Sequence, residues 1–376
     1  MATTNFARQT DEQKTAWSLK FWHNMRNKQF LSNFAGSGPD AMIQRIEELK
    51  MSDKGARAVI TLVPDLEGDG VVGDSQLEGN EEELKSADQV IRIDQIRNAN
   101  RLEGRMADQK SVVTFRNNSM DTLTYWAADR CDQMAFLTLS GVSYAFHNNG
   151  APRIGSALPN LEFAADVTAP TSGRHYRWDA TASTGGLKAA STSSVVATDL
   201  PSWEMLVDMK AKATDSMLRP IRSASGIDVF NVFMTGAGMA ALKKDKDFME
   251  VWKYAQQRGD ENPIFKGTPI GGTKGIYIDG LNIMEYRHVY NTTGAASGSK
   301  WGSSGTVDGQ RVLLCGAQAL GYADIMGPKW VEKDFDYDNS PGISVAKIIG
   351  FKKPVFPSAL TGVKEDFGVI CVDTAI

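Results

Sequence analysis

Cysteine is scarce in this chain and long apolar runs are missing. The three cysteines, Cys131, Cys315 and Cys371, stand far apart among 376 residues. An odd number without CxxC spacing argues against a disulfide framework or a thiolate metal site and predicts buried free thiols in a reducing compartment. No stretch approaches the ~18 apolar residues of a membrane span, and the N-terminus lacks a signal-peptide apolar core, so no membrane partner is expected. Only four histidines occur, His23, His147, His175 and His288, and none stands in HxH or HExxH spacing. Also absent are a GxSxG elbow and a cysteine beside a plausible histidine partner. The run Gly267-Thr268-Pro269-Ile270-Gly271-Gly272-Thr273-Lys274 imitates a phosphate loop. The nucleotide-binding version needs lysine directly after the second glycine, and a preceding strand. These gaps predict a protein that is not an enzyme and needs no cofactor or metal. A net charge of −4 gives no general case for nucleic-acid or membrane binding.

Charged residues at 23% and hydrophobic ones at 42% describe a globular chain long enough for two or three lobes. Ala58 to Val63 and Gln89 to Asp94 read as strands flanking a long acidic connector. From Pro64 to Asp88 the acids are Asp65, Glu67, Asp69, Asp74, Glu78, Glu81, Glu82, Glu83 and Asp88, nine against one lysine, a net −8. The remaining residues therefore carry +4 (−4 minus −8). Arg92, Arg97, Arg101 and Arg105 follow, diluted by Asp94 and Glu103. Two strands alone expose both faces and both edges, so the hairpin is expected to seek a surface on another copy of the chain. Its acidic tip would then meet basic residues of that copy; the plainer reading is a solvated acidic loop. Gly70, Gly73 and Gly79 are the expected hinges.

Ahead of the hairpin, Thr10 and Gln13 suggest a capping box. Trp17, Phe21 and Met25 fall at helical spacing, with Trp22, Phe30 and Phe34 adding aromatic area. This helix either docks on its own domain or clamps a neighbouring subunit. Arg105 to Ser140 holds no Gly or Pro, and Met120, Leu123, Ala127, Cys131 and Met134 make one apolar stripe, with Asp121, Asp129 and Asp132 off it. Residues 147–200 are crowded with Gly, Ser, Thr and Ala and read as a surface excursion. From Pro201 the pattern turns α/β. It predicts helices from Ser202 to Ala213, from a Thr235 cap through Leu242, and from Asp247 to Gln257. Strands are predicted at Asp228 to Met234, Gly275 to Ile278, Leu281 to Glu285, Arg311 to Leu314, Ile343 to Phe351 and Gly368 to Val372.

Read in order, these parts resemble the coat proteins of tailed bacteriophages, the Hong Kong 97 type fold shared with encapsulin shells. Local blocks are similar to the major capsid family typified by the N-four-like phages. They are Val63-Pro64-Asp65-Leu66, Gly70-Val71-Val72-Gly73-Asp74 and Leu77-Glu78-Gly79-Asn80-Glu81-Glu82 in the loop. Asp94-Gln95-Ile96-Arg97 and Gly104-Arg105-Met106 stand at the start of the spine, and Asn262-Pro263-Ile264-Phe265 and Gly316-Ala317-Gln318-Ala319-Leu320 beyond it. The resemblance implies an α+β fold. Its parts would be an N-terminal arm (1–56), an extended β-hairpin loop (57–107) and the spine helix of a peripheral domain (108–146). After them would come a surface insertion (147–200), an axial domain (201–325) and a C-terminal return to the peripheral domain (326–376). It implies a major capsid protein whose copies form hexamers and pentamers of an icosahedral head around double-stranded DNA, held non-specifically. A portal protein, and separate scaffolding and cement proteins, are the further partners to test. The expected location is the virion, assembled in the host cytoplasm. An encapsulin-type shell, or an α/β enzyme with an unrecognised site, are the competing readings.

Overall fold

The computed structural model describes residues 20–21, 24–25, 27–46, 57–62, 71–73, 76–79, 81, 87–104, 106, 115–181, 184–222, 228–254, 275–337, 339–358 and 362–376. The first half holds β1 (Ala35–Gly36), β2 (Ile43–Ile46), β3 (Arg57–Leu62), β4 (Ala87–Arg92), β5 (Asp94–Arg101), α1 (Phe115–Ser140), β6 (His175–Asp179) and β7 (Gly186–Ala189). Then come α2 (Trp203–Asp215), β8 (Ile221–Arg222), β9 (Asp228–Met234), α3 (Gly236–Lys244), α4 (Lys246–Tyr254), β10 (Ile276–Ile278), β11 (Leu281–Glu285) and β12 (Gly309–Cys315). The last strands are β13 (Leu320–Phe335), β14 (Ser340–Lys352), β15 (Val355–Pro357), β16 (Lys364–Asp366) and β17 (Val369–Ala375).

Helix starts follow local chemistry. Ser202 caps α2 by accepting from the Met205 amide at 3.3 Å, and Thr235 caps α3 by accepting from Gly238 at 3.1 Å. The 26 residues of α1 span about 39 Å at ~1.5 Å per residue. Its predicted stripe, Met120, Leu123, Ala127, Cys131 and Met134, is buried. Beyond Cys131 the helix is buried on every side, so Asp132, placed off the stripe by periodicity, is only 1% exposed.

Two sheets organise the molecule. The first has five strands in the order β1-β2-β13-β14-β5; the second has eight, β10-β11-β9-β12-β17-β6-β7 with β8 paired to β9. One large apolar cluster joins them around α1, running from Phe21, Met25 and Leu31 through Phe136 and Phe233 to Ile349 and Phe351. A second fills the eight-stranded sheet beneath α2 and α3, with Met205, Leu206, Met209, Val232, Leu242 and Val372.

Two regions depart from expectation. Residues 147–200 are not a surface excursion: β6 pairs in parallel with β17, β7 pairs with β6, and Phe163, Trp178 and Val195 are buried. A few large side chains anchor a stretch that is otherwise small and polar. Residues 326–376 likewise do not all return to one place. β14 lies in the five-stranded sheet, but β17 enters the eight-stranded sheet between β12 and β6.

Candidate inter-subunit surfaces

Strand alternation gives the five-stranded sheet two different faces. Tyr322, Ile343, Val345, Ile349 and Phe351 point toward α1 and share its cluster. The opposite face carries Gly321, Ala323, Ile325 and Gly350. Here the β3–β4 hairpin lies down, burying Ala58, Ile60 and Ile91 against Ile46, Ala323 and Phe356. Gly321 and Gly350 permit this approach: a Cβ on Gly321 would strike the Ile60 and Ile91 side chains, and one on Gly350 the Arg92 carbonyl. The expectation that the hairpin cannot bury itself on its own body is therefore corrected for its strands. One face is satisfied within the chain. The other presents Val59 and Val90, register partners that are 46% and 38% exposed.

The acidic connector leaves from this hairpin. Glu78 and Glu81 are exposed, and Glu81 Oε2 accepts from the Gly79 amide at 2.8 Å. Gly73 and Gly79 adopt φ of +68° and +90° with open space around them. Asp65, Glu67, Asp69, Gly70, Asp74, Glu82 and Glu83 lie outside the described residues, as does Arg105. On β5, burial alternates strictly, and Gln95, Arg97, Ala99 and Arg101 form its exposed set, away from α1. Arg101 donates to Ser340 Oγ at 3.0 Å and covers the Phe335 ring at 4.4 Å. Arg92 is committed inside the chain: its amide donates to Asp166 at 2.8 Å, and its guanidinium stands 3.9 Å from the same carboxylate.

The described part of the N-terminal segment, from residue 20 on, docks on its own chain, which removes Phe21 and Phe30 from the set of anchors on a neighbour. Phe21 is buried beside Trp330, 6.3 Å between centroids. Phe30 stacks on Tyr286 and meets Phe34 and Phe233 edge-on. Trp17 and Trp22 lie outside the described residues. Asp132 holds the junction: it accepts from the Phe30 amide at 2.9 Å, the Leu31 amide at 3.3 Å and the Tyr286 hydroxyl at 2.7 Å. Burial pushes its carboxyl up to about 6, against the pull of those three donors. Nothing in the sequence singled Asp132 out, because its partners lie about 100 and 154 residues away.

Buried charges tie the remaining elements together. Arg311 pairs with Asp373 at 2.7 Å and donates to the Ser140 carbonyl at the end of α1, while His175 adds a 2.8 Å contact to Asp373. Burial alone would raise the Asp373 carboxyl, but Arg311 and His175 hold it below its ordinary value. Lys353 and Asp366, both fully buried, pair at 2.8 Å. Asp324 takes Arg45 at 3.1 Å and Lys347 at 3.3 Å. All three cysteines are buried and free, and burial raises each thiol, Cys131 and Cys371 to about 12. Among the described residues no group of three or more His, Cys, Asp or Glu could hold a metal ion, and no helix is long and apolar enough to cross a membrane.

A long spine helix, a two-faced sheet carrying an extended hairpin, and a second mixed sheet are the parts of the Hong Kong 97 type capsid fold. Solved structures agree. The capsid protein of Ralstonia phage GP4 superimposes with a TM-score of 0.72 at 25% identity, covering 93% of this chain and 91% of that one. That of cyanophage Pam1 gives 0.66 at 17% identity, covering 100% and 94%. The major capsid protein of Pseudomonas phage KPP25 is 56% identical over 373 residues, 99% of this chain and 97% of its own length. The family model described as phage capsid protein matches residues 5–376, and the chain belongs to that family. It is the major capsid protein of a tailed phage and forms the head shell.

Proposed function

We propose that copies of this chain close the shell as hexamers and pentamers, and that neighbours are joined on the hairpin face. The five-stranded sheet with α1 acts as the peripheral domain and the eight-stranded sheet with α2 to α4 as the axial one. Each acidic loop reaches an adjacent copy and meets Arg97 and Arg101. One observation carries this reading: the hairpin root and the exposed arginines of β5 lie on the same side of one sheet. The outward Val59–Val90 pair offers apolar area worth about 25 cal/mol per Å² once covered, less what ordering costs. The loop charges add register and salt sensitivity more than strength. Gly70, Gly73 and Gly79 let the loop bend between six-fold and five-fold settings. The shell encloses double-stranded DNA, takes a portal protein at one vertex, and is assembled in the host cytoplasm with separate scaffolding and cement proteins as further partners.

Electron microscopy of the overexpressed chain and of nuclease-treated phage heads tests the proposal. Closed particles with six-fold and five-fold clusters, and nuclease-resistant DNA inside heads, are the expected results. Particles filled with protein cargo would instead favour a nanocompartment. A lone soluble chain at micromolar concentration would sink the assembly scheme.

A further inference from the structure

The side of the subunit away from the hairpin carries a cluster that the shell contacts above do not use. Asp129, Arg130 and Gln133 lie on α1, Arg153 in the loop that follows it, and Arg287 and His288 just after β11. Gln133 Oε1 accepts from Arg130 at 2.5 Å and from Arg153 at 2.9 Å, while its amide donates to Asp129 at 2.7 Å. Asp129 in turn accepts from Arg287 and stands 2.8 Å from His288 Nε2, which Arg287 Nε also approaches at 3.2 Å. Asn148, itself buried, fixes the arrangement by donating to the Gln133 carbonyl at 3.2 Å and the His288 carbonyl at 2.6 Å. Three guanidinium groups are thus held in place around one carboxylate and one neutral amide. Burial and then Arg130 lower the Arg153 guanidinium, and His147 is lowered by burial and then by the charges of Arg153 and Arg130. Positive charge is crowded here beyond what the described carboxylates neutralise.

We propose that Arg130, Arg153 and Arg287 form a phosphate-binding patch whose ligand in the assembled head is the backbone of the enclosed DNA, taken without regard to sequence. The inference rests on the shell reading above. Planar guanidinium forks match phosphate oxygens, and here their directions are preset by Gln133 and Asp129. In a shell one subunit thick, every copy turns the same face inward. The hairpin bearing the −8 connector would repel a polyanion, so the hairpin face is the outer one and the exposed side of α1 faces the genome. That side also shows Tyr125, 62% exposed, with Lys28 over its ring at 3.9 Å. Such contacts are salt-dependent, which suits a surface that must let its cargo go.

The test uses the full-length, unassembled chain and two unrelated 30-base-pair duplexes, read by fluorescence anisotropy across a salt series. The parent should bind both duplexes alike. R130Q/R153Q/R287Q should weaken binding about tenfold or more and flatten the salt slope by roughly 3, near 0.9 per lost phosphate contact. R222Q/K243Q/K244Q, an equal charge loss elsewhere, should leave binding unchanged, and thermal melts confirm that both variants fold. Equal losses in the two variants, or no parent binding, would overturn the patch. So would a synthetic 64–88 peptide that binds the parent and not the triple variant while duplexes do not compete, since the occupant would then be a neighbour's loop. Shell formation is scored separately by microscopy. Closed particles from R130Q/R153Q/R287Q leave the shell reading standing whatever the DNA result.

Discussion

Phe30 lies face to face on Tyr286, with ring centroids 4.0 Å apart and planes 11° from parallel. The Tyr286 hydroxyl donates to Asp132, which also receives the Phe30 amide, so one stacked pair and one carboxylate lock the N-terminal segment to both α1 and the eight-stranded lobe. D132A should strand the buried Leu31 amide and the part-buried Phe30 amide and cost about 1–3 kcal/mol, seen as a lower unfolding midpoint. D132N, which keeps an acceptor and adds a donor, should cost less.

The same carboxyl gives a pH prediction. Its folded value is about 6, above the unfolded ~3.9, so the folded state binds the extra proton between these limits. The stability it contributes is present below about pH 4 and is lost as pH rises through about 6. His288, depressed by burial, contributes in the opposite sense. The parent minus D132N difference in melting temperature should therefore grow on acidification from pH 7 to pH 5, and a flat difference would refute the assignment.

Gly321 and Gly350 are the floor on which the hairpin rests. G321V should lift β3 and β4 by colliding with Ile60 and Ile91, costing about 1–3 kcal/mol. Hydrogen exchange should speed up at 57–62 and 87–92. G236A, where an added Cβ meets nothing within 4 Å, is the matched control.

The outer hairpin face makes the opposite prediction. V59K/V90K touches exposed side chains, so the melting temperature of the isolated chain should stay within about 0.5 kcal/mol equivalent. Particle yield should collapse, because the lysines would be buried at the junction between copies. R97E should reduce assembly more at low salt than at high salt.

The side chains of Lys353 and Asp366 have no exposed surface. K353M leaves a buried carboxylate unpaired and should cost about 3–5 kcal/mol, while K353M/D366L should recover most of it. A double variant no better than the single would show that packing, not charge, sets the cost.

Much of the fold was legible locally. The strands read at Asp228 to Met234 and Leu281 to Glu285 coincide with β9 and β11, and the Thr235 cap is formed. β13 was missed because register shifts between Asp324, Met326 and Lys329 break its alternation. β5 was missed because its sequence, DQIRNANR, is polar and rich in asparagine. The hairpin's strands were visible, but their resting place was not, since glycines at 321 and 350 make room for it far along the chain. The role of Asp132 is tertiary in the same way. The arginines of β5 were named from composition, whereas Arg130, Arg153 and Arg287 share a site only after three distant segments fold together.

The three cysteine sulfurs, sealed in the interior as neutral thiols, have a consequence for the particle's life history. None is placed to bridge one subunit to the next, so cohesion owes nothing to oxidation. A change from reducing buffer to air-saturated water should leave the head neither tighter nor looser, and dithiothreitol should not open it.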